Sequence, residues 1–241
     1  MRTFEGQTAV ITGGGTGVGA AVALALAKAG ASVHLVGRRP DKLESVAANA
    51  RSLGSEATCY SGDLGVDSGQ LELTQRLRDL PRVDMLIQNA ARYVAGLIEQ
   101  ASLADFDIQY QTNVRAPYIL TKALLPMLKA QRGQVVFINS SSGMAAKPMS
   151  AQYDSTKHAL RALADSLRGE VNAHGIRVLS VYLGRTASEL QERICKLEGK
   201  PYRPEHLLQP GDVASVIVNA LSLPRTAEVT DIHIRPMIKH D

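Results

Sequence analysis

Residues 8–12 read Thr-Ala-Val-Ile-Thr, a β-rich run that passes through Gly13-Gly14-Gly15-Thr16-Gly17-Val18-Gly19 into an alanine-rich helical stretch ending near Gly30. Few folds accommodate a strand, a glycine turn and a helix in that order. Glycines let the backbone approach a pyrophosphate, whose charge meets free N–H groups at the helix N-terminus. Alone the run could be only a tight turn. Its place between a strand and a helix makes it a phosphate-binding βα unit.

The next strand, 32–36, closes a βαβ unit and ends at Gly37-Arg38-Arg39. An acid at this strand end would accept from a ribose 2′-OH; here there is none, and Arg38 supplies a bidentate cation of the kind that receives a 2′-phosphate. A solvated arginine pair opening the loop before Pro40 is the alternative. A helix over 40–53 leads to strand 56–60 and Asp63-Leu64, an acid and an apolar residue able to hold an adenine by its amino group and its face. With Gly62 and Gly65 on either side, Asp63 could equally be a turn residue. Helix 67–79 precedes a continuous apolar run from Val83, a buried parallel strand ending at Gln88-Asn89-Ala90-Ala91. Residues 103–130 form a long helix with Asn113 inside it, and Pro117, four residues on, should loosen its ladder.

Strand 134–139 then delivers Ser140-Ser141-Ser142-Gly143, and a loop leads into a helix carrying Tyr153 and running to about Ala173. Strand 177–182, a partly helical charged stretch at 186–209, helix 211–222 and a last strand at 229–234 complete the chain. Strands alternating with helices place it in the α/β class, a single parallel sheet covered on both faces. At 241 residues, with 45% apolar and 21% charged residues and no linker, residues 1–241 are expected to form one domain.

Tyr153 and Lys157 stand at i and i+4, about 400° apart around a helix, so their side chains leave one face roughly 6 Å from each other. An ammonium at that distance favours the phenolate and should lower the tyrosine pKa. A surface tyrosine beside a solvated lysine would show the same spacing. The net charge is +4, but the basic residues are scattered, which argues against a nucleic-acid partner. Cys59 and Cys195 lack metal-type spacing and suit a reducing compartment. No apolar run is long enough to span a membrane and no signal segment stands at residues 1–7, so a cytoplasmic location is expected.

Together these residues resemble the short-chain dehydrogenase/reductase family over essentially the whole chain. The marks are Thr12-Gly13 followed by Gly17-Val18-Gly19; Asn89-Ala90-Ala91; Asn113; Ser140, thirteen positions before Tyr153, with Gly143 following; and Tyr153 with Lys157. The resemblance implies a Rossmann-like doubly wound parallel sheet of about seven strands. It implies hydride transfer between NADP(H) and a small-molecule ketone or secondary alcohol. Tyr153 would be the acid or base, and Lys157 would lower its pKa and hold the nicotinamide ribose. Ser140, preferred over Ser141 and Ser142 for its spacing, would bond the substrate oxygen, and Asn113 would anchor a water serving Lys157. Cofactor contacts are implied at Gly13, Thr16, Gly17, Val18, Gly19, Arg38, Arg39, Asp63, Leu64, Asn89, Ala90, Ala91, Tyr153, Lys157, Gly184 and Thr186. No metal is implied. A homodimer or homotetramer is implied, paired through helices 103–130 and 153–173.

Two departures stand out. Ala91 replaces a glycine, narrowing the floor near the nicotinamide or excluding a positive φ. Leu183 replaces a proline and leaves an extra N–H beside the nicotinamide face. They are the support for an alternative, a non-catalytic NADP(H)-sensing regulatory or scaffold protein. Ala91, Arg92, Tyr93, Met144, Met149 and the 186–209 segment are expected to surround the carbonyl and cover the substrate. Arg185 could meet a phosphate, a substrate carboxylate or solvent.

Overall fold

The computed structural model describes residues 3–238. Strands β1 (Thr8–Thr12), β2 (Ser32–Gly37), β3 (Ala57–Ser61), β4 (Met85–Gln88), β5 (Gln134–Ser140), β6 (Arg177–Leu183) and β7 (Asp231–Ile234) form one sheet in the order β3-β2-β1-β4-β5-β6-β7. Every pairing is parallel. β7 is two residues shorter than the sequence suggests, and its side chains are only partly covered.

Because successive side chains on a strand point to opposite faces, each central strand supplies two cores. Ile11, Val33, Leu35, Leu179 and Val181 face helices α1 (Gly17–Lys28), α2 (Pro40–Ser52) and α8 (Pro210–Ser222), where Val22, Leu26, Leu43, Ile217 and Leu221 meet them. Val10, Val36, Leu86, Val135, Phe137 and Val178 face the other way. They pack on Leu73 and Leu77 of α3 (Asp67–Arg78), Leu120 and Leu124 of α5 (Ala116–Gln131), and Leu160 and Leu167 of α6 (Ala151–Val171). With both faces covered, the strands read as nearly continuous apolar runs.

The long helix expected over 103–130 is three pieces. α4 (Leu103–Tyr110) gives way to a π turn over Gln111–Arg115, and α5 follows. Pro117 has no N–H to give, and its ring would collide with the carbonyl four residues back, at Asn113. The ladder slips instead, and the Ala116 N–H donates to the Gln111 carbonyl, five residues back. Asn113 is thereby placed inside a widened turn that faces α6.

β1 pairs with β2 on one side and β4 on the other, so the connections diverge there. A crevice opens at such a point, outside the carboxyl ends of the strands.

Candidate active site

The crevice holds about 740 Å³ and runs from Arg38, past the glycine turn, to Ser140, Tyr153 and the segment after β6. At its first end, α1 begins with Thr16 as N-cap, without a side-chain cap bond and without an acid in the first turn. By contrast, α4 and α7 (Glu189–Leu197) are capped by Ser102 and Ser188 and carry acids in their first turns. An uncapped helix start beside a glycine turn leaves N–H groups free for an anion. Gly13 (φ +65°) and Gly17 (φ +53°) supply the left-handed backbone the turn requires.

Close packing fixes that turn. A Cβ on Gly13 would lie 2.7 Å from Asn89 Nδ2, and one on Gly19 would run into the Gly13 carbonyl. Asn89 Nδ2 donates to the carbonyls of Thr12 (3.0 Å) and Gly13 (3.2 Å), and Thr12 Oγ1 accepts from the N–H groups of Asn89 (2.9 Å) and Ala90 (3.0 Å). The ends of β1 and β4 are thus stitched together. We expect Gly19→Ala to lower the melting temperature by roughly 5–10 °C, since overpacking against backbone costs about 2–3 kcal/mol. An unchanged melting curve would show that the turn can move aside.

At the other end, Tyr153 is 9% exposed and Lys157 2%. The Ser140 hydroxyl stands near enough to the Tyr153 phenol to hold its proton affinity down, and Ser140 Oγ accepts from the Ser142 N–H at 3.1 Å. Ser140 is therefore the serine at the phenol. The Tyr93 ring meets the Tyr153 ring edge-on, with centroids 5.0 Å apart. Lys157 Nζ donates to the Ile138 carbonyl at 3.1 Å and stands 5.6 Å from the Tyr153 ring centroid.

The electrostatics correct the expectation for this pair. Burial pushes the Tyr153 phenol well above its ordinary range; the Ser140 hydroxyl offsets part of this, while Asp154 and Tyr93 add to the rise. Burial also pushes Lys157 down to about 8. Among protein groups alone, desolvation outweighs any pull of the ammonium on the phenol.

The family model for short chain dehydrogenases matches residues 7–198. This chain belongs to that family. An uncharacterized oxidoreductase of Thermotoga maritima is 32% identical over 86% of this chain and 81% of its own length. A dehydrogenase/reductase of Drosophila melanogaster, SDR family protein 7-like, is 33% identical over 82% of this chain and 62% of its own. Among solved structures, the alcohol dehydrogenase of the archaeon Thermococcus sibiricus, complexed with 5-hydroxy-NADP, superposes with a TM-score of 0.87. It is 26% identical and covers 98% of both chains. A metagenomic short-chain oxidoreductase in complex with NADP gives 0.83 at 28% identity, covering 98% of this chain and all of its own.

Other expected site residues of this short-chain dehydrogenase sit less simply. The Asn113 side chain is fully engaged: Oδ1 accepts from the Arg92 N–H (2.8 Å), and Nδ2 donates to the Arg92 carbonyl (2.9 Å) and Thr156 Oγ1 (3.0 Å). It clamps the loop after β4, and a water here would need a backbone group of the π turn. Arg38 lines the crevice, while Arg39 is paired with Glu189 at 2.7 Å. Asp63 accepts from the Gly65 N–H at 2.8 Å, so the turn role is present, and its other oxygen faces Arg92 at 3.8 Å. Arg92 lines the crevice as expected and leans toward Asp63. Arg185 is held by both oxygens of Glu198, at 2.8 and 2.7 Å. Gly13, Thr16, Gly17, Val18, Leu64, Ala90, Ala91, Gly184 and Thr186 line the crevice; Gly19 stands behind the turn.

Neither departure leaves a loose end. Ala91 has no positive φ, and Leu183 is paired within the sheet with Ser140 on one side and Ile234 on the other. Two positions were missed. Asn139 donates from Nδ2 to the Lys157 carbonyl (3.2 Å) and accepts from the Ser140 N–H (2.8 Å), tying β5 to the Tyr153 helix. Asp154 is 1% exposed and accepts from the Lys147 N–H and the Ser150 hydroxyl, both at 2.7 Å, pinning the loop before α6. An acid directly after Tyr153 was the available sign, yet nothing in the spacing told that it turns inward.

Proposed function

We propose that the protein is an NADP(H)-dependent carbonyl reductase or alcohol dehydrogenase acting on a ketone or secondary alcohol. The observation that carries this reading is the buried Tyr153 phenol with the Ser140 hydroxyl beside it and Lys157 behind, at one end of a crevice whose other end offers an uncapped helix start and Arg38. A dinucleotide fits that bed: the glycine cradle has no room for side chains, and its free N–H groups suit a pyrophosphate. Arg38 suits the 2′-phosphate, with Arg39 once it leaves Glu189. The cofactor supplies the hydride.

Everything else falls to the protein. Ser140 Oγ donates to the substrate oxygen and stabilises the charge that grows there. Tyr153 Oη gives its proton to the same oxygen, and in the reverse direction removes it. Lys157, below the phenol, takes the nicotinamide ribose hydroxyls and passes on the replacement proton. Helix α7 and the rest of 186–209 cover the substrate, presenting Ile194 and Leu197 to it. Exposed Leu103, Phe106, Tyr110 and Tyr118 on α4 and α5 support pairing into a homodimer or homotetramer. Among the described residues no helix is long and apolar enough to cross a membrane.

The test is calorimetric titration with NADPH and NADH, together with NADPH oxidation over a panel of ketones. We expect NADPH to bind more tightly, and Arg38→Asp to cut that preference by about 100-fold, the scale of one lost charge-assisted pair plus one repulsive charge. Equal affinities in the wild type would remove the 2′-phosphate argument. Silence on every ketone, with NADPH bound, would favour a dinucleotide-sensing protein.

A further inference from the structure

The guanidinium groups around the crevice divide into two kinds. Arg39 and Arg185 are neutralised by Glu189 and Glu198. Arg38 and Arg193 have no ion-pair partner among the described residues, and Arg92 has only Asp63, at 3.8 Å and beyond hydrogen-bonding distance. Arg92 is not a casual surface cation. Its side chain is 25% exposed, and the Asn113 side chain grips both its N–H and its carbonyl, so the root of the side chain is fixed.

The sheet order says where that side chain goes. Arg92 leaves the end of β4, whereas Asp63 follows β3, with β2 and β1 lying between them. Asp63 in turn stands close to Arg38: Gly62, before Asp63, donates its N–H to the carbonyl of Gly37, before Arg38, at 3.0 Å, and both arginines line the crevice. Arg92 also loses proton affinity, to burial first and then to Arg38 and Arg193, with Asp63 opposing them. Arg38, Arg92 and Arg193 all line the crevice, and the one carboxylate in ion-pair reach of any of them among the described residues is Asp63. Such a cluster needs a polyanion.

We propose that Arg92 is a second ligand of the cofactor's 2′-phosphate, joining Arg38, and that it sets the preference for NADP over NAD. This rests on the NADP(H) reading of the crevice. A phosphate monoester between two guanidiniums accepts bidentate bonds from both. The pyrophosphate is the weaker alternative, since its bed lies at the glycine turn after β1 while the Arg92 guanidinium faces Asp63, in the loop after β3. The Asn113 grip acquires a purpose here: an arginine rooted in advance loses less freedom when the anion arrives.

Titration calorimetry with adenosine 2′,5′-bisphosphate and adenosine 5′-monophosphate separates the possibilities without requiring turnover. Arg92→Gln should weaken the bisphosphate about tenfold and the monophosphate less than about twofold, as expected for loss of a charge-assisted contact to the extra phosphate alone. Equal losses for both ligands would place Arg92 on the adenine or the 5′-phosphate and overturn the proposal, as would no loss for either. Arg38→Gln serves as the reference. If it weakens the bisphosphate while Arg92→Gln does not, only this inference falls. If neither variant does, or the wild type binds the two ligands equally, the NADP(H) reading of this end falls with it.

Discussion

Tyr153→Phe is expected to reduce turnover of any active ketone by about 1,000-fold, the middle of the range for a general acid, while NADPH affinity stays within about twofold. The geometry makes this a clean substitution. Phenylalanine keeps the buried ring and its edge-on contact with Tyr93, and Ser140 keeps the Ser142 N–H, so only Oη is lost. Removing a hydroxyl whose proton affinity is raised by burial should leave stability nearly unchanged. The pH profile carries the sign. Reduction needs the protonated phenol, so its rate should hold at low pH and fall as pH climbs through the tyrosine's pKa in the complex; oxidation should do the reverse. Undiminished turnover in the phenylalanine variant would remove Tyr153 as the proton donor.

Much of the architecture was legible because it rests on local signals. The TAVIT run, the glycines and the alanine-rich stretch fix β1, the turn and α1, and apolar runs alternating with helical stretches fix the parallel sheet. Pro117 even marked where the ladder would fail. That the failure would take the form of a π turn, and would bring Asn113 to Thr156 of α6, was not legible, because the latter is a contact between distant segments. The site was legible in its residues and less so in its physics. Spacing put Lys157 beside Tyr153 but carried no account of how deeply both are buried, and burial reverses the direction of the phenol's shift. Arg39–Glu189 spans 150 positions of the chain, and no local pattern encodes such a pair. The same holds for Arg92, whose nearest carboxylate, Asp63, lies in the loop after another strand.

Lys157→Met should abolish turnover and yet stabilise the fold. The lysine is buried with one hydrogen-bond partner among the described residues, the Ile138 carbonyl, and its pKa falls from 10.5 to about 8. A depression of that size corresponds to about 3 kcal/mol of stability forfeited while the group is charged in both states. Methionine fills similar space without charge, and it gives up one hydrogen bond worth about 1 kcal/mol. The balance near pH 7 is a gain of about 2 kcal/mol, or roughly 4–8 °C in melting temperature for a chain of this size. The sign with pH is fixed. Between about 8 and 10.5 the unfolded wild type binds a proton that the folded protein has lost, so wild-type stability rises through that window. The variant's advantage should therefore shrink as pH rises, disappear before the top of that window and reverse slightly there. Melting curves of both proteins from pH 7 to pH 10 check this, and an advantage that is absent, or constant with pH, would mean that the ammonium is not held at a cost. A lysine kept at such a cost, with its proton loosely bound beneath the phenol, is what a proton relay to Tyr153 requires.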